Sequence, residues 1–398
     1  MKVLVLEIGR LHLGYLGCYG NDWIDTPHFD RLAAEGVVFD RHYLDRSSAA
    51  RLRLDDLLDQ QGIDFQHINP TSLATDKLRL DQPVKKALSD LAAPTPKGRL
   101  LWLTLPSLAP PWQVADEYLQ RYFGTDEPED LEDDEAEYED DEEDEEAEDE
   151  QTVEEPPPEP WLDPAIGALE LNDASWERLQ NTFAAVVTQF DAQLGVLLDH
   201  LDETGLADDV VILVTAERGL ALGEHGILGE CRPWLHEEVV HLPLLMRFPD
   251  GREAGRRVAA LTQPVDLLPT LLDLFAISIP EVLHGHSLLP LARGEAEKVR
   301  DYACTGLEHL GRIEWALRTP EWAFLLPVQQ AADDAPRSPQ LFVKPDDRWE
   351  INNLLQHNLE LAEQFEKTLR AFMAACRQPG PWVAPPLLLE APESVVSD

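Results

Sequence analysis

The sequence predicts an α/β fold, a mainly parallel sheet sandwiched by helices, with a small C-terminal α+β subdomain. Val210–Val214 is an unbroken apolar run, too short for a typical helix, which favours a strand buried on both faces. Other short apolar runs alternate with stretches of helical period, as in a sheet built from β-α units. From about residue 300 several strand-like runs follow one another before a single helix, which indicates the separate subdomain.

The predicted elements before the central acidic stretch alternate between strand and helix. In order they are strand Val3–Leu6, a helix with Thr26 as N-cap and Pro27 at its first position, strand Val37–Phe39, a helix capped by Ser47 or Ser48, strand Ile63–Ile68, helix Val84–Leu91 and strand Leu100–Leu105. Gly36 and Gly62 are predicted to end the first two helices.

The alternation resumes after residue 160. The predicted elements there are a long helix from Asn172 or Asp173 to Gly205, strand Val210–Val214, a helix near Leu235–Val240, strand Leu242–Phe248, helix Val265–Phe275, strands Ile313–Thr319, Trp322–Leu326 and Gln340–Val343, and helix Leu359–Ala375. The predicted α/β domain therefore comprises residues 1–125 and 161–300, and the C-terminal subdomain comprises residues 301–398.

The formal net charge of −44 is concentrated in one segment. Of the 25 residues from Asp126 to Glu150, 20 are Asp or Glu, and a proline cluster follows them up to Pro160. Because this segment has few apolar residues and repels itself, we predict a disordered insertion over residues 126–160. Binding of a basic partner or a cation is the alternative. The charge disfavours nucleic acids and anionic membranes as partners.

The cysteines and the N-terminal stretch indicate in which cellular compartment the protein is expected. Cys18, Cys231, Cys304 and Cys376 are widely scattered, which predicts neither a disulfide framework nor a zinc site. The stretch before Glu7 is too short for the apolar region of a signal peptide, and no apolar run approaches the ~20 residues that span a bilayer. We therefore expect a cytoplasmic protein.

The candidate functional site follows the strand at Val210–Val214. Ligands of open α/β sheets lie beyond the carboxyl ends of strands, and Glu217 and Arg218 occupy that place. The alternative is a solvated ion pair between these two side chains, which would contribute little.

The motifs around these strands resemble the sulfatase family of the alkaline-phosphatase-like superfamily. Residues 16–43, LGCYGNDWIDTPHFDRLAAEGVVFDRHY, are similar to the family's N-terminal signature. The segments VTAERGLALGEHGILGE, EEVVHLPLLMRFP and QPVDLLPTLLDLFAI follow in family order. The resemblance covers nearly the whole chain and implies the predicted fold, sulfuric ester hydrolysis and a divalent cation, usually calcium.

The residues that match the family's metal ligands differ in chemistry. The family's aspartate pair after the first strand corresponds to Gly9 and Arg10, and its Ser-Asp-His-Gly corresponds to residues 216–219, AERG. Calcium needs several oxygen ligands, whereas an arginine places a fixed positive charge at the site. Glu217 remains a candidate metal ligand, and Glu7 is another unless its role is structural.

The family's nucleophile and its sulfate-binding residues are also altered. The family's nucleophile is converted to formylglycine, and Ser47 to Arg51, SSAAR, fits the serine form of that motif literally. Helix capping by Ser47 is the alternative. Glu230 replaces the expected lysine and Ala109 the expected histidine. His225 is retained, either as a ligand-binding residue or as a hydrogen-bonding residue of its loop.

These substitutions predict a catalytically inactive sulfatase-like protein with a binding or regulatory role at the former sulfate site. Arg10, Arg51 and Arg218 are predicted to bind a sulfated or phosphorylated small molecule or glycan without a metal. One alternative is an active sulfuric ester hydrolase that uses Ser47, with Glu7 and Glu217 in an altered calcium shell. The other is an interaction protein that works through its acidic insertion.

Overall fold

The structure is a computed structural model that describes residues 1–46, 54–74, 79–124, 159–331, 337–378 and 381–388, with the backbone alone for residues 54–56. The predicted cap at Ser47 or Ser48 lies outside the described residues, as does the predicted disordered insertion up to residue 158. No helix within the described ranges is long and apolar enough to cross a membrane.

Among the described residues, helices and strands alternate from residue 2 to residue 218. The helices are α1 (Pro27–Glu35), α2 (Leu54–Gln61), α3 (Gln82–Ala92), α4 (Asp116–Phe123), α5 (Asp173–Glu203), α6 (Glu237–Val240), α7 (Leu267–Leu274), α8 (Leu289–Ala292) and α9 (Leu359–Cys376). The strands are β1 (Lys2–Arg10), β2 (Val37–Tyr43), β3 (Asp64–Ile68), β4 (Arg99–Leu105), β5 (Gly167–Ala168), β6 (Val210–Arg218), β7 (Ile227–Leu228), β8 (His241–Leu242), β9 (Leu244–Arg247), β10 (Arg256–Thr262), β11 (Ala303–His309), β12 (Arg312–Arg318), β13 (Trp322–Gln329) and β14 (Gln340–Val343).

The main sheet has the strand order β10-β2-β9-β6-β1-β4-β3, with β8 also paired to β2. Strand β1 is parallel to both β4 and β6, and β3 is parallel to β4. Strand β9 runs antiparallel to both of its neighbours, β6 and β2. The carboxyl ends of β1 and β6 therefore meet at one edge of the sheet, where the candidate site was predicted.

Helices cover both faces of this sheet. Alternate residues of β1 point to opposite faces, so Leu4 and Leu6 pack with α1, α3 and α5, while Val3 and Val5 pack with α2, α7 and α8. The central strands β1 and β6 are almost completely buried, as predicted for Val210–Val214. This arrangement confirms the predicted fold class.

The C-terminal subdomain contains an antiparallel sheet in the order β11-β12-β13-β14. One face packs on α9 through Leu317, Phe324 and Phe365. Ala316 and Leu325 belong to the core of the main domain instead, so the small sheet is buried on both sides. The first strand of this sheet, β11, was not predicted.

Other differences from the sequence predictions have physical causes. Helix α4 and strand β10 were not predicted, and β10 is an edge strand with few buried residues. Thr26 is the N-cap residue of α1, as predicted, but its side chain makes no capping hydrogen bond. The Thr26 hydroxyl accepts a hydrogen bond from the Gly17 amide. The carboxylate of Asp191, on α5, accepts hydrogen bonds from the His28 and Phe29 amides of α1 instead.

Candidate functional site

Two arginines stand side by side at the carboxyl ends of the central strands. Arg10 ends β1 and Arg218 ends β6, and the parallel register pairs these two residues directly. The Leu11 amide donates to the Arg218 carbonyl at 3.1 Å and extends the pairing past the strand end. Both side chains project from the face that carries Leu6 and Ile8, because residues two apart on a strand share a face.

Glu230 bridges the two arginines, and we call these three residues the strand-end triad. Arg10 Nη2 lies 2.6 Å from Glu230 Oε2, and Arg218 Nη1 donates to Glu230 Oε1. Each carboxylate oxygen therefore binds a different guanidinium. The Gly229 amide donates to the Ala221 carbonyl at 2.9 Å and fixes the backbone next to Glu230. The predicted ion pair of Arg218 is thus made with Glu230 rather than with Glu217.

The triad is partly open to solvent. The exposed fractions of the side chains are 22% for Arg10, 27% for Arg218 and 30% for Glu230. Burial lowers the pKa of Arg10, with the Glu230 carboxylate acting in the opposite direction. Arginine stays protonated in proteins even when its pKa is lowered, so both guanidinium groups are permanent charges.

Arg232 and His309 lie near the triad as well. A cavity of about 20 Å³, room for one water molecule, is lined by Arg10, Arg218, Glu230 and Arg232. The Arg232 guanidinium lies 4.6 Å from the ring centre of Trp234, a cation–π distance. His309 Nδ1 lies 3.9 Å from Glu230 Oε1. Three arginines therefore line the cavity together with one carboxylate.

The position of Gly9 cannot accept a larger residue without movement of the backbone. A Cβ at Gly9 would lie 2.9 Å from Ser107 Cα, in the segment that follows β4. An aspartate, which the family has at this position, would collide with that segment. The backbone at residue 107 thus lies close to Gly9, where the family has its first metal ligand and this chain has none.

The two remaining candidate metal ligands are not gathered into a site. Glu7 is 7% exposed, and its Oε2 accepts from Trp102 Nε1 at 3.2 Å and from Thr104 Oγ1 at 3.1 Å. Glu217 is exposed at the end of β6, on the sheet face opposite Arg218. In the described ranges no three or more His, Cys, Asp or Glu residues form a group that could hold a metal ion.

These residues do not fit calcium. Calcium takes six to eight oxygen ligands, whereas the matched positions supply a glycine, two arginines and one exposed carboxylate. The metal roles of Glu7 and Glu217 stay predictions.

His225 binds the C-terminal subdomain rather than the triad. Its Nε2 donates to the Trp349 carbonyl at 3.0 Å, and its ring lies 4.1 Å from that of His236. Burial lowers the pKa of His225. These contacts correspond to the loop role that was the alternative for this residue.

The other two predicted site residues, Ser47 and Arg51, lie outside the described residues. The chain before them is held by Arg46, whose guanidinium carbon lies 5.9 Å from the ring centre of Trp315. Arg46 Nη1 also donates to the Cys376 carbonyl at 3.5 Å. The predicted catalytic roles of Ser47 and Arg51, and the convergence of Arg51 with Arg10 and Arg218, stay predictions.

Sequence reasoning missed a buried ionic cluster between the two domains. Glu350 Oε1 accepts from Arg318 Nη2 at 2.8 Å and lies 3.1 Å from Lys344 Nζ. Lys344 Nζ also donates to Glu237 Oε2 at 3.1 Å, and His236 Nδ1 lies 3.0 Å from Glu350 Oε2. Two cations and two carboxylates thus neutralise one another out of water. The only sequence signal was the position of Glu237 beside an apolar run.

A second buried pair lies just beyond Arg10. His12 Nδ1 accepts from the Gly14 amide at 3.0 Å, so the ring proton is on Nε2, which donates to Glu224 Oε1 at 2.8 Å. Glu224 also accepts from the Leu222 amide at 2.8 Å. The pair joins the loop after β1 to the loop after β6.

Comparison with known families covers most of the chain. The family model described as Sulfatase matches residues 53–277, and the model described as N-sulphoglucosamine sulphohydrolase, C-terminal, matches residues 223–370.

Among curated proteins, N-acetylglucosamine-6-O-sulfatase of Bacteroides thetaiotaomicron is 31% identical over 137 residues, 34% of this chain and 24% of that protein. Arylsulfatase K of Gallus gallus is 27% identical over 209 residues, 49% of this chain and 37% of that protein. The matched segments thus span well under two thirds of these relatives.

Solved structures match over nearly the whole chain. A structure described as a complex with its substrate D-glucosamine-2-N,6-O-disulfate has a TM-score of 0.67 and 19% identity, covering 94% of this chain and 97% of that chain. Phosphonate monoester hydrolase of Agrobacterium radiobacter has a TM-score of 0.64 and 17% identity, covering 94% and 95%. These likenesses agree with the fold described above. Because the Sulfatase model matches more than half of its residues, the chain belongs to the sulfatase family.

Proposed function

We propose that this chain is a catalytically inactive sulfatase-like protein that binds an anionic ligand at its strand ends. The observation that carries the proposal is the bridge from Glu230 to Arg10 and Arg218. Fixed cations stand where the family places metal ligands, and a carboxylate stands where it places a lysine.

The charges of the triad oppose the family's chemistry. Metal-assisted hydrolysis needs a cation that polarises the ester and activates the nucleophile. Arg10 and Arg218 would repel such a cation, and Glu230 would repel the developing negative charge of the transition state. The same arginines supply the donors that recognise an oxyanion when no metal is bound.

We propose a sulfated or phosphorylated small molecule or glycan as the ligand. The sulfated glucosamine bound by one structural neighbour supports this chemical class, as do the three arginines that line the cavity. The proposal needs no cofactor, and calcium would be expected only if the chain were active.

Turnover of an aryl sulfate tests the proposal. The wild type should release no aryl alcohol above the level of a Ser47→Ala variant, with or without added calcium. The Ser47 peptide should keep the mass of serine, whereas formylglycine would be about 2 Da lighter by the loss of two hydrogens on oxidation of the side chain. Turnover abolished by Ser47→Ala, together with the lighter peptide, would instead establish an active sulfuric ester hydrolase.

A further inference from the structure

We propose that Glu230 is an internal competitor that occupies the anion position between Arg10 and Arg218, and that a ligand must displace it to bind. This inference rests on the proposed anion-binding function and adds its regulation. The carboxylate makes the contacts that an incoming oxyanion would make, with one oxygen on each guanidinium.

The site has more donors than one carboxylate uses. Arg10 Nη1 is buried and has no hydrogen-bond partner among the described residues. The Arg232 side chain lines the same cavity. A carboxylate offers two oxygens, whereas a sulfate or phosphate monoester offers three terminal oxygens. A monoester could therefore keep both contacts of Glu230 and also accept from Arg10 Nη1.

The Glu230 side chain is able to leave. It is 30% exposed, so its carboxylate can rotate into solvent and regain hydration while the backbone stays in place. The carboxylates of Glu237 and Glu350 are 4% and 0% exposed and have no such route. The cavity of about 20 Å³ is too small for a monoester while Glu230 occupies the site, and departure of the carboxylate would enlarge it.

Removal of the Glu230 charge should increase the affinity of the site for a monoester. In Glu230→Gln the neutral amide no longer neutralises the two arginines, so a ligand no longer competes with an internal charge. We expect the variant to bind a monoester at least about tenfold more tightly than the wild type does, which corresponds to about 1.4 kcal/mol.

The chain offers a matched control. Glu35 also bridges two arginines, with Oε1 3.0 Å from Arg31 Nε and Oε2 2.8 Å from Arg247 Nε. Its side chain is 39% exposed, similar to that of Glu230. The Glu35→Gln change therefore removes a carboxylate charge from between two arginines at a place away from the strand ends.

Isothermal titration at fixed ionic strength tests the inference. The probes are glucosamine 6-sulfate and glucosamine 6-phosphate, titrated into the wild type, Glu230→Gln and Glu35→Gln. We expect tighter binding in Glu230→Gln alone, and loss of the gain in the double variant Glu230→Gln, Arg10→Met. A gain for one probe only would assign the ligand to the sulfate or the phosphate class.

Equal affinities in Glu230→Gln and the wild type, with both proteins folded by circular dichroism, would overturn the inference. So would an equal gain in Glu35→Gln, because the effect would then be one of net charge. If Glu230→Gln fails to fold, Glu230→Asp replaces it. The shorter carboxylate cannot span both arginines, and a gain in affinity is again expected. Turnover by the wild type would instead refute the proposed function, whatever the titrations show.

Discussion

The buried cluster around Glu350 allows a stability prediction of stated size. Glu350 is fully buried. Its Oε1 accepts a hydrogen bond from Arg318 Nη2 at 2.8 Å and lies 3.1 Å from Lys344 Nζ. The change Glu350→Gln keeps the shape of the side chain but removes its charge. Arg318 and Lys344 would then share one carboxylate, that of Glu237, out of water.

The expected cost is about 3–5 kcal/mol at pH 7, because removal of one partner leaves an uncompensated buried charge. Arg318 and Lys344 hold the pKa of Glu350 well below its usual range, against the opposing effect of burial. A carboxyl with a lowered folded pKa contributes stability above its unfolded pKa of about 4.3 and loses that contribution as the pH falls through the folded pKa. The difference between wild type and variant should thus stay constant from pH 7 to pH 5 and shrink below about pH 4.

Urea unfolding of both proteins at pH 7, 5 and 3 measures this difference. Glu366→Gln is the control, since Glu366 pairs with Arg370 on an exposed face of α9. Its expected cost is below about 0.5 kcal/mol, typical of an exposed helical pair. The reasoning would be refuted if Glu350→Gln cost no more than the control, or if its cost grew as the pH fell.

Three further predictions concern the sheet and the strand ends. Burial lowers the pKa of His42 to about 3, so protonation of the unfolded chain below about pH 6.5 destabilises the fold by up to about 1.4 kcal/mol per pH unit. Urea unfolding of His42→Asn at several pH values should show a weaker loss of stability with acid. Arg218→Met should lower the free energy of unfolding by less than about 1 kcal/mol at low salt, and by less still at 1 M salt, because the ion pair of Arg218 is partly exposed. Leu213→Ala should cost about 2–5 kcal/mol in thermal or urea unfolding, since Leu213 is 1% exposed in the sheet centre.

The sequence predicted those elements whose signals are local. The apolar run at Val210–Val214 and the helical period of α5 both identified their elements. Asn172, one of the two residues predicted as the cap, caps α5 through the Ser175 amide. The side chain that caps α1 could not be predicted, because Asp191 lies on α5, 162 positions from Phe29. Strand β10 has few buried residues and so gave no apolar pattern.

The pairing within the candidate site could not be predicted from the sequence. The strand-end rule and the family resemblance located Arg10, Arg218 and Glu230. That Glu230 turns back onto both arginines depends on the path of the chain after β7, including the hydrogen bond from Gly229 to Ala221. The cluster around Glu350 was missed because its residues come from distant segments, and no local pattern links them.

Calcium content of the purified wild type, by elemental mass spectrometry, tests most directly the claim that fixed charges have replaced the family's metal. The account predicts no stoichiometric calcium and no change in thermal stability on addition of EDTA. Stoichiometric calcium that is lost in Glu217→Ala would contradict it, because the strand ends would then hold a metal beside the arginines.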